Sequence, residues 1–127
     1  DEFVLPPGEL WLGATSEKFY LPNNIAAQIE GRSSWGRLGL MTHITAGFID
    51  PGFMGMITLE LYNVNSYPLV LPTVFDLLLD STGVEPIAQV SFMKLSSKAR
   101  EPYDTKGHYR NPIGPQLSRL KGRVKNQ

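Results

Sequence analysis

The stretch Gly31–Asn63, GRSSWGRLGLMTHITAGFIDPGFMGMITLELYN, decides how the chain is read. It gathers two arginines, two serines, a histidine, an aspartate and a glutamate around two turns. Its clearest structural signal lies at its end. In Met56–Asn63, Ile57, Leu59 and Leu61 share one face, and Thr58, Glu60 and Tyr62 share the other. That period of two is the mark of a half-buried strand. Asp50-Pro51-Gly52 is a turn former, and Gly55 releases the chain into the strand. Thr42–Ile49 alternates moderately and is expected to be a strand as well. With a hairpin over Pro51–Gly55, Asp50 would pair with Met56 and Glu60 would fall opposite Ala46. Upstream, Gly31-Arg32-Ser33-Ser34 breaks the pattern. Trp35–Met41 places Leu38 and Met41 three apart, which suits one or two helical turns.

Working outward, most of the chain keeps the strand period. Phe3–Leu5 is a short apolar strand closed by Pro6-Pro7-Gly8. Glu9–Thr15 is a second, Phe19–Leu21 a third apolar run, and Pro22-Asn23-Asn24 a turn. Ile25–Glu30 alternates through Ile25, Ala27 and Ile29. Beyond the central stretch, Asn65–Pro68 is a turn, Leu69–Leu71 is apolar and Ile87–Leu95 is an expected strand. Thr73–Pro86 is the least regular segment, with apolar residues at Val74, Phe75 and Leu77–Leu79. It is expected to be an exposed or intersubunit loop. Many short strands separated by turns, with no long amphipathic helix and no internal repeat, mean an all-β sandwich or barrel.

Composition narrows the class further. A length of 127 residues suits one domain with one core. Twelve acidic and twelve basic residues give zero net charge, so neither nucleic acid nor an anionic membrane is indicated as partner. The tail over residues 106–127 is the exception, with Lys106, Arg110, Arg119, Lys121, Arg123 and Lys125 and no acid. Composition favours a solvated terminus; the sharper alternative is an arm that closes over phosphates. With no cysteine, disulfides and thiolate chemistry are excluded, and a zinc site would have to use His43, His108 and carboxylates. No apolar run approaches the roughly 20 residues of a membrane span and no signal peptide opens the chain, so a cytoplasmic location is expected. The chain opens on Asp1 rather than Met, as a processed or trimmed terminus would.

Several residues of the central stretch suggest chemistry. Ser33 and Ser34 at a turn entering a helix, flanked by Arg32 and Arg37, can cradle phosphate oxygens. The plainer alternative is an N-cap serine beside two solvated arginines. Glu60 interrupts an apolar strand; alone, it would be read as a carboxylate on a wet face. Asp50 is equally well explained as a turn former, and His43 as a structural histidine.

The strings GRSSWGRLGL, HITAGFIDPGF and ITLELYN resemble the core of the dCTP deaminases, in particular the bifunctional dCTP deaminase/dUTPase branch. The resemblance implies a distorted jelly-roll β-barrel of the dUTPase-like type, a homotrimer with sites at subunit interfaces. In such a trimer Glu60 and the Arg32-Ser33-Ser34 motif come from different chains. Glu60 matches the general acid/base of the family, and Arg32, Ser33, Ser34 and Arg37 match its phosphate site. His43 and Ala46 correspond to residues near the base and the attacking water. Asp50 corresponds to an aspartate near the deoxyribose 3′-hydroxyl, and Thr58 joins the nucleotide-binding set beside Glu60. Gln89 matches a glutamine near the phosphates and Tyr103 a tyrosine that packs on the nucleotide. Tyr109 and Gly114 match the closing motif, in which His108 stands for the usual lysine and Pro112 for the usual glutamine. The family's opening hairpin, with its Asp-Leu-Arg-Leu-Gly-like sequence, is not among these residues, and Thr73–Pro86 replaces a short turn.

The implied reaction is hydrolytic deamination of dCTP to dUTP, with the bifunctional branch continuing to dUMP and pyrophosphate. Mg2+ would be carried by the triphosphate, and the resembled family works without zinc. Ligands would be dCTP, dUTP or dTTP. A silent or regulatory nucleotide-binding trimer is the alternative, favoured by Pro112 and His108. A pure dUTPase is disfavoured by Leu59-Glu60-Leu61.

Overall fold

The computed structural model describes residues 2–73 and 85–120. The segment with Leu77, Leu78 and Leu79, expected to be an exposed or intersubunit loop, therefore lies outside the described residues, as do Lys121, Arg123 and Lys125. Described elements run in the order β1 (Phe3–Leu5), β2 (Leu10–Tyr20), β3 (Ile25–Gly31), α1 (Ser33–Arg37), β4 (Leu40–Met41), β5 (Phe48–Ile49), β6 (Met54–Asn63), β7 (Leu69–Leu71), β8 (Ala88–Lys94) and α2 (Tyr103–Lys106). The strands form three small antiparallel sheets, ordered β1-β7, β2-β6-β4 and β5-β3-β8. The all-β expectation holds, since among the described residues both helices are single turns.

β6 carries the alternation read from the sequence. Its odd positions from Gly55 to Asn63 are buried, and its even positions from Met56 to Tyr62 are half-buried. Ile57, Leu59 and Leu61 meet Ala27, Ile29 and Ile49 of the β5-β3-β8 sheet in one core. Each fully buried leucine or isoleucine contributes about 1.5–3 kcal/mol. Asn63 closes the strand from inside the core, wholly buried. Its Nδ2 donates to the carbonyls of Leu5 (3.1 Å) and Tyr67 (2.8 Å), and its Oδ1 accepts the Asn65 N–H (2.9 Å).

Three local expectations are corrected. Glu9–Thr15 and Phe19–Leu21 form one strand, β2, rather than two. Between Ala14 and Lys18 it advances four residues while β6 advances two, from Thr58 to Met56. The Thr15 hydroxyl spans this bulge: it accepts the Ile57 N–H (3.0 Å) and donates to the Glu17 carbonyl (2.8 Å). The helical turn starts at Ser33, two residues before the expected Trp35.

The third correction bears on the site. Thr42–Ile49 is a strand only at Phe48–Ile49; residues 42–47 cross from the sheet of β6 to the sheet of β3. Between β4 and β5 the segment keeps only one backbone bond to each sheet, the Glu60 N–H on the Thr42 carbonyl and the Ile29 N–H on the Gly47 carbonyl, rather than a continuous ladder. β5 and β6 consequently do not form a hairpin, and Glu60 lies opposite Leu12 rather than Ala46. The Asp50-Pro51-Gly52 turn does form, closed by the Phe53 N–H on the Asp50 carbonyl (3.1 Å), with Gly52 at φ 84°.

Replacing Asn63 by leucine keeps the volume but leaves two carbonyls and one N–H without their partner. The loss of unfolding free energy should be about 2–4 kcal/mol. Urea denaturation measures it, and a change below about 0.5 kcal/mol would show that the clamp contributes little.

Candidate active site

Glu60 sits on the half-buried face of β6, between Thr58 and Tyr62. The crossing segment supplies its surroundings. The Glu60 N–H donates to the Thr42 carbonyl (3.0 Å), and the Ile44 N–H donates to Glu60 Oε2 (2.8 Å). Backbone and side chain of the glutamate are thus both held by residues 42–44, which fixes the carboxylate without a cation. Around it, Leu10, Leu12, Met41 and Ile44 are exposed, so the rim of the face is apolar.

His43 and Ala46 ride on the same segment. Gly47 is buried, and its N-terminal neighbours pack tightly: an added Cβ there would lie 2.7 Å from the Ile29 carbonyl and 3.0 Å from His43 Nε2. Only glycine lets the segment approach β3 this closely. His43 Nδ1 is buried without a hydrogen-bond partner, and so is Thr42 Oγ1. Arg32 Nε and Trp35 Nε1 are in the same condition. Among the described residues, every such orphaned buried side-chain atom falls between Arg32 and His43. Folded proteins rarely leave buried polar atoms unpaired, so this concentration marks a place awaiting a ligand or partner.

The serine motif reaches this place through Gly31. A Cβ built on Gly31 would lie 3.6 Å from Thr42 Oγ1, and the Gly31 carbonyl accepts Gln89 Nε2 (3.0 Å). Arg32, Ser33, Gln89 and Thr42 are therefore local neighbours. The capping alternative is corrected: the N-cap of α1 is Arg32, with no side-chain cap, and Ser33 and Ser34 are exposed inside the turn. Arg32 Nη2 pairs with Glu85 Oε1 at 3.1 Å, with both side chains partly exposed. Such a pair is worth only about 0–1 kcal/mol. Arg37 is exposed and forms no salt bridge among the described residues.

The remaining candidates lie on the turn and the tail. Asp50 is exposed on its turn. Tyr103 docks there, its N–H on the Pro51 carbonyl (2.8 Å) and its ring 5.5 Å from that of Phe53. Its hydroxyl accepts the Tyr109 N–H (2.9 Å), so Tyr103 is a structural post for the tail. His108 is exposed and, with Lys106, Arg110 and Arg119, lines a polar hollow of about 550 Å³. Asp50 and His108 share no hydrogen bond with Glu60 among the described residues. Thr58, by contrast, is engaged: its Oγ1 accepts the Gln116 N–H (3.0 Å). Among the described residues no three His, Asp or Glu side chains gather as a metal-ligand set.

Sequence reasoning missed Thr42, Ile44 and Gln116. Thr42 had a faint signal, a hydroxyl ending the apolar run Leu38–Met41. Ile44 acts through its backbone, which no side-chain pattern reports.

The sequence model of the dCTP deaminase-like family matches residues 1–75. A Halobacterium salinarum protein described as dCTP deaminase, dUMP-forming, is 46% identical over 124 residues, covering 96% of this chain and 58% of its own length. A Dictyoglomus thermophilum protein of the same description is 48% identical over 120 residues, covering 93% of this chain and 57% of its own. The chain thus spans less than two thirds of either relative. Among solved structures, native EIAV dUTPase superimposes with a TM-score of 0.58 at 23% identity, covering 83% of this chain and 78% of that one. The strand arrangement is accordingly the jelly roll of the dUTPase-like type.

The orphaned hydroxyl gives a test that needs no ligand. Thr42→Val removes an unpaired buried polar atom and keeps the shape. Stability should be unchanged or rise by about 1 kcal/mol, and thermal denaturation reads it. A loss above about 1 kcal/mol would mean that the hydroxyl is satisfied within the fold.

Proposed function

The chain belongs to the dCTP deaminase-like family, and from that premise we propose that it deaminates dCTP to dUTP and continues to dUMP and pyrophosphate. The observation that carries the reading is the setting of Glu60, half-buried, with Oε2 held by the Ile44 N–H and no salt bridge to the carboxylate among the described residues. Deamination needs a water deprotonated for attack on C4 and a proton delivered to ring N3. The tetrahedral adduct then expels the amino group as ammonia, and the water oxygen remains as the new carbonyl. One fixed, partly desolvated carboxylate can take the two protons of the water in turn, passing the first to ring N3 and the second to the departing amino group. Local backbone anchoring suits that role, because the carboxylate keeps its position as its charge changes.

The triphosphate is assigned to Arg32, Ser33, Ser34 and Arg37. The serine hydroxyls are exposed, Arg37 has no salt bridge among the described residues, and the Arg32–Glu85 pair is weak enough for a polyphosphate to displace. Gln89 positions this segment through the Gly31 carbonyl. A nucleotide carried as its Mg2+ complex would bring to Arg32 and Arg37 a phosphate charge already partly offset. His43 and Ala46 are assigned to the base and water side, and Asp50 to the deoxyribose and the phosphorus-attacking water. A homotrimer is part of the reading. The exposed apolar rim of Leu10, Leu12 and Met41 around Glu60 would be covered by a neighbouring subunit. A nucleotide-binding protein without turnover is the second reading, favoured by Pro112 and His108. Incubation with dCTP and Mg2+, followed by separation of dCTP, dUTP and dUMP, decides between them.

Two substitution experiments follow. Glu60→Gln keeps shape but cannot exchange protons. Nucleotide affinity should stay within a few-fold, while deamination falls by on the order of 10²–10⁴. Hydrolysis of supplied dUTP should suffer less, since that step attacks phosphorus. Deamination at the parent rate would end the proposed mechanism. Separately, Ser34→Ala should weaken dCTP binding, and Arg37→Ala should weaken it in a salt-sensitive way. Titration calorimetry at two ionic strengths measures both, and unchanged affinity in both variants would remove the phosphate assignment.

A further inference from the structure

The tail after α2 returns to β6 and runs along it toward Glu60. The Pro112 carbonyl accepts the Met56 N–H (3.0 Å), and the Gly114 N–H reaches Met56 Sδ (3.3 Å). Two residues on, the Gln116 N–H donates to Thr58 Oγ1 (3.0 Å). Pro112 is buried against Gly55, where even a Cβ would lie 2.3 Å from its ring. The register of the tail on β6 is therefore set at Pro112, and Gln116 is delivered to the face that carries Thr58 and Glu60. Those two side chains are two residues apart on one strand, hence about 7 Å apart at their Cα atoms.

Gln116 is the residue of this stretch that brings both a backbone bond to Thr58 and a side-chain amide to this end of the tail. It is half-buried, and its Nε2 donates back to the Gly114 carbonyl (3.3 Å). The donor end of the carboxamide is thereby turned to its own backbone. Oε1, an acceptor, has no hydrogen-bond partner among the described residues.

We infer that Gln116 determines base specificity, its Oε1 accepting a hydrogen bond from the exocyclic amino group of a cytosine nucleotide bound beside Glu60. The inference rests on the deaminase reading. Cytosine presents a donor at C4 where uracil presents a carbonyl oxygen. An acceptor fixed at that edge favours the first and repels the second, and a site built to pair a donor rejects the analogue without it more strongly than an apolar pocket could. The same contact would weaken once the amino group has left, favouring movement of the product away from the position in which it was formed.

The test is the ratio of dCTP to dUTP affinity, measured by calorimetry in the Glu60→Gln background so that dCTP is not consumed. Gln116→Leu retains the backbone bond to Thr58 and removes the acceptor. It should lower the ratio about tenfold, the effect of one hydrogen bond, mainly by weakening dCTP. Gln116→Glu keeps an acceptor at that place. Its added charge opposes both triphosphates alike, so the ratio should stay within about two- to threefold of the parent. A ratio unmoved by Gln116→Leu, or lost equally in Gln116→Glu, overturns the assignment while leaving the deaminase reading intact. A parent that binds neither nucleotide overturns both.

Discussion

The hydrogen bond from the Ile44 N–H to Glu60 Oε2 links the two halves of the structure. Glu60 belongs to β6, whose other face fills the core with Ile57, Leu59 and Leu61. Ile44 belongs to the segment that leaves this sheet and joins β3 through the Ile29 N–H on the Gly47 carbonyl (2.8 Å). A shift in either sheet would therefore move the carboxylate relative to its anchor. The core holds β6, β6 holds the glutamate, and the crossing segment fixes its orientation. This is preorganisation by backbone: the Ile44 amide, which the crossing leaves without a ladder partner, is directed at the carboxylate.

The same constraint explains the irregularities nearby. β2 must follow β6 past the end of the core, and the bulge at Thr15 allows it while keeping the Ile57 N–H paired. Gly47 and Gly55 permit two close approaches, one to Ile29 and His43 and one to Pro112. The orphaned atoms of Arg32, Trp35, Thr42 and His43 are the other side of this economy. Each unpaired buried polar atom forfeits about 1–3 kcal/mol. A fold that otherwise satisfies even the fully buried Asn63 through three hydrogen bonds leaves four such atoms in one twelve-residue stretch. Local stability is lower there in a way that a bound nucleotide or a neighbouring subunit can restore.

What was legible in the sequence follows the reach of each signal. β3 and β8 were legible from their apolar spacing in the sequence, although Ala26 and Ala27 are both buried and the end of β8 is exposed throughout. β6 was legible because its side chains alternate between unlike environments, and alternation is a local property. The face assignment of Glu60 came from the same source. The partner of Glu60 was not legible, because the hairpin assumption ignored that a short apolar run can change sheets. Nothing in Thr42-His43-Ile44-Thr45 distinguishes a crossing from a strand. The union of the two apolar runs in β2 depended on a single hydroxyl, Thr15, whose role appears only once β6 lies beside it. Of the site, the charged and hydroxylic residues were found from motifs. The backbone donor at Ile44 and the tail contact at Gln116 were invisible, since both depend on segments far apart in sequence.

Pro112 shows why a departure from a family motif must be weighed against its surroundings. In the sequence it removes an amide, and so argues for lost function. In the fold it is buried on Gly55 and offers its carbonyl to Met56. Proline restricts the conformations of the undocked tail, so less entropy is lost when the tail settles on β6. A tail already docked beside Thr58 also has less left to order when a nucleotide arrives. The substitution thus exchanges a side-chain contact for preorganisation of the segment that carries Gln116. It leaves untouched the two hydrogen bonds that hold Glu60. Its consequences would belong to binding and specificity, while the proton transfer proposed for Glu60 would rest on β6 and the crossing segment.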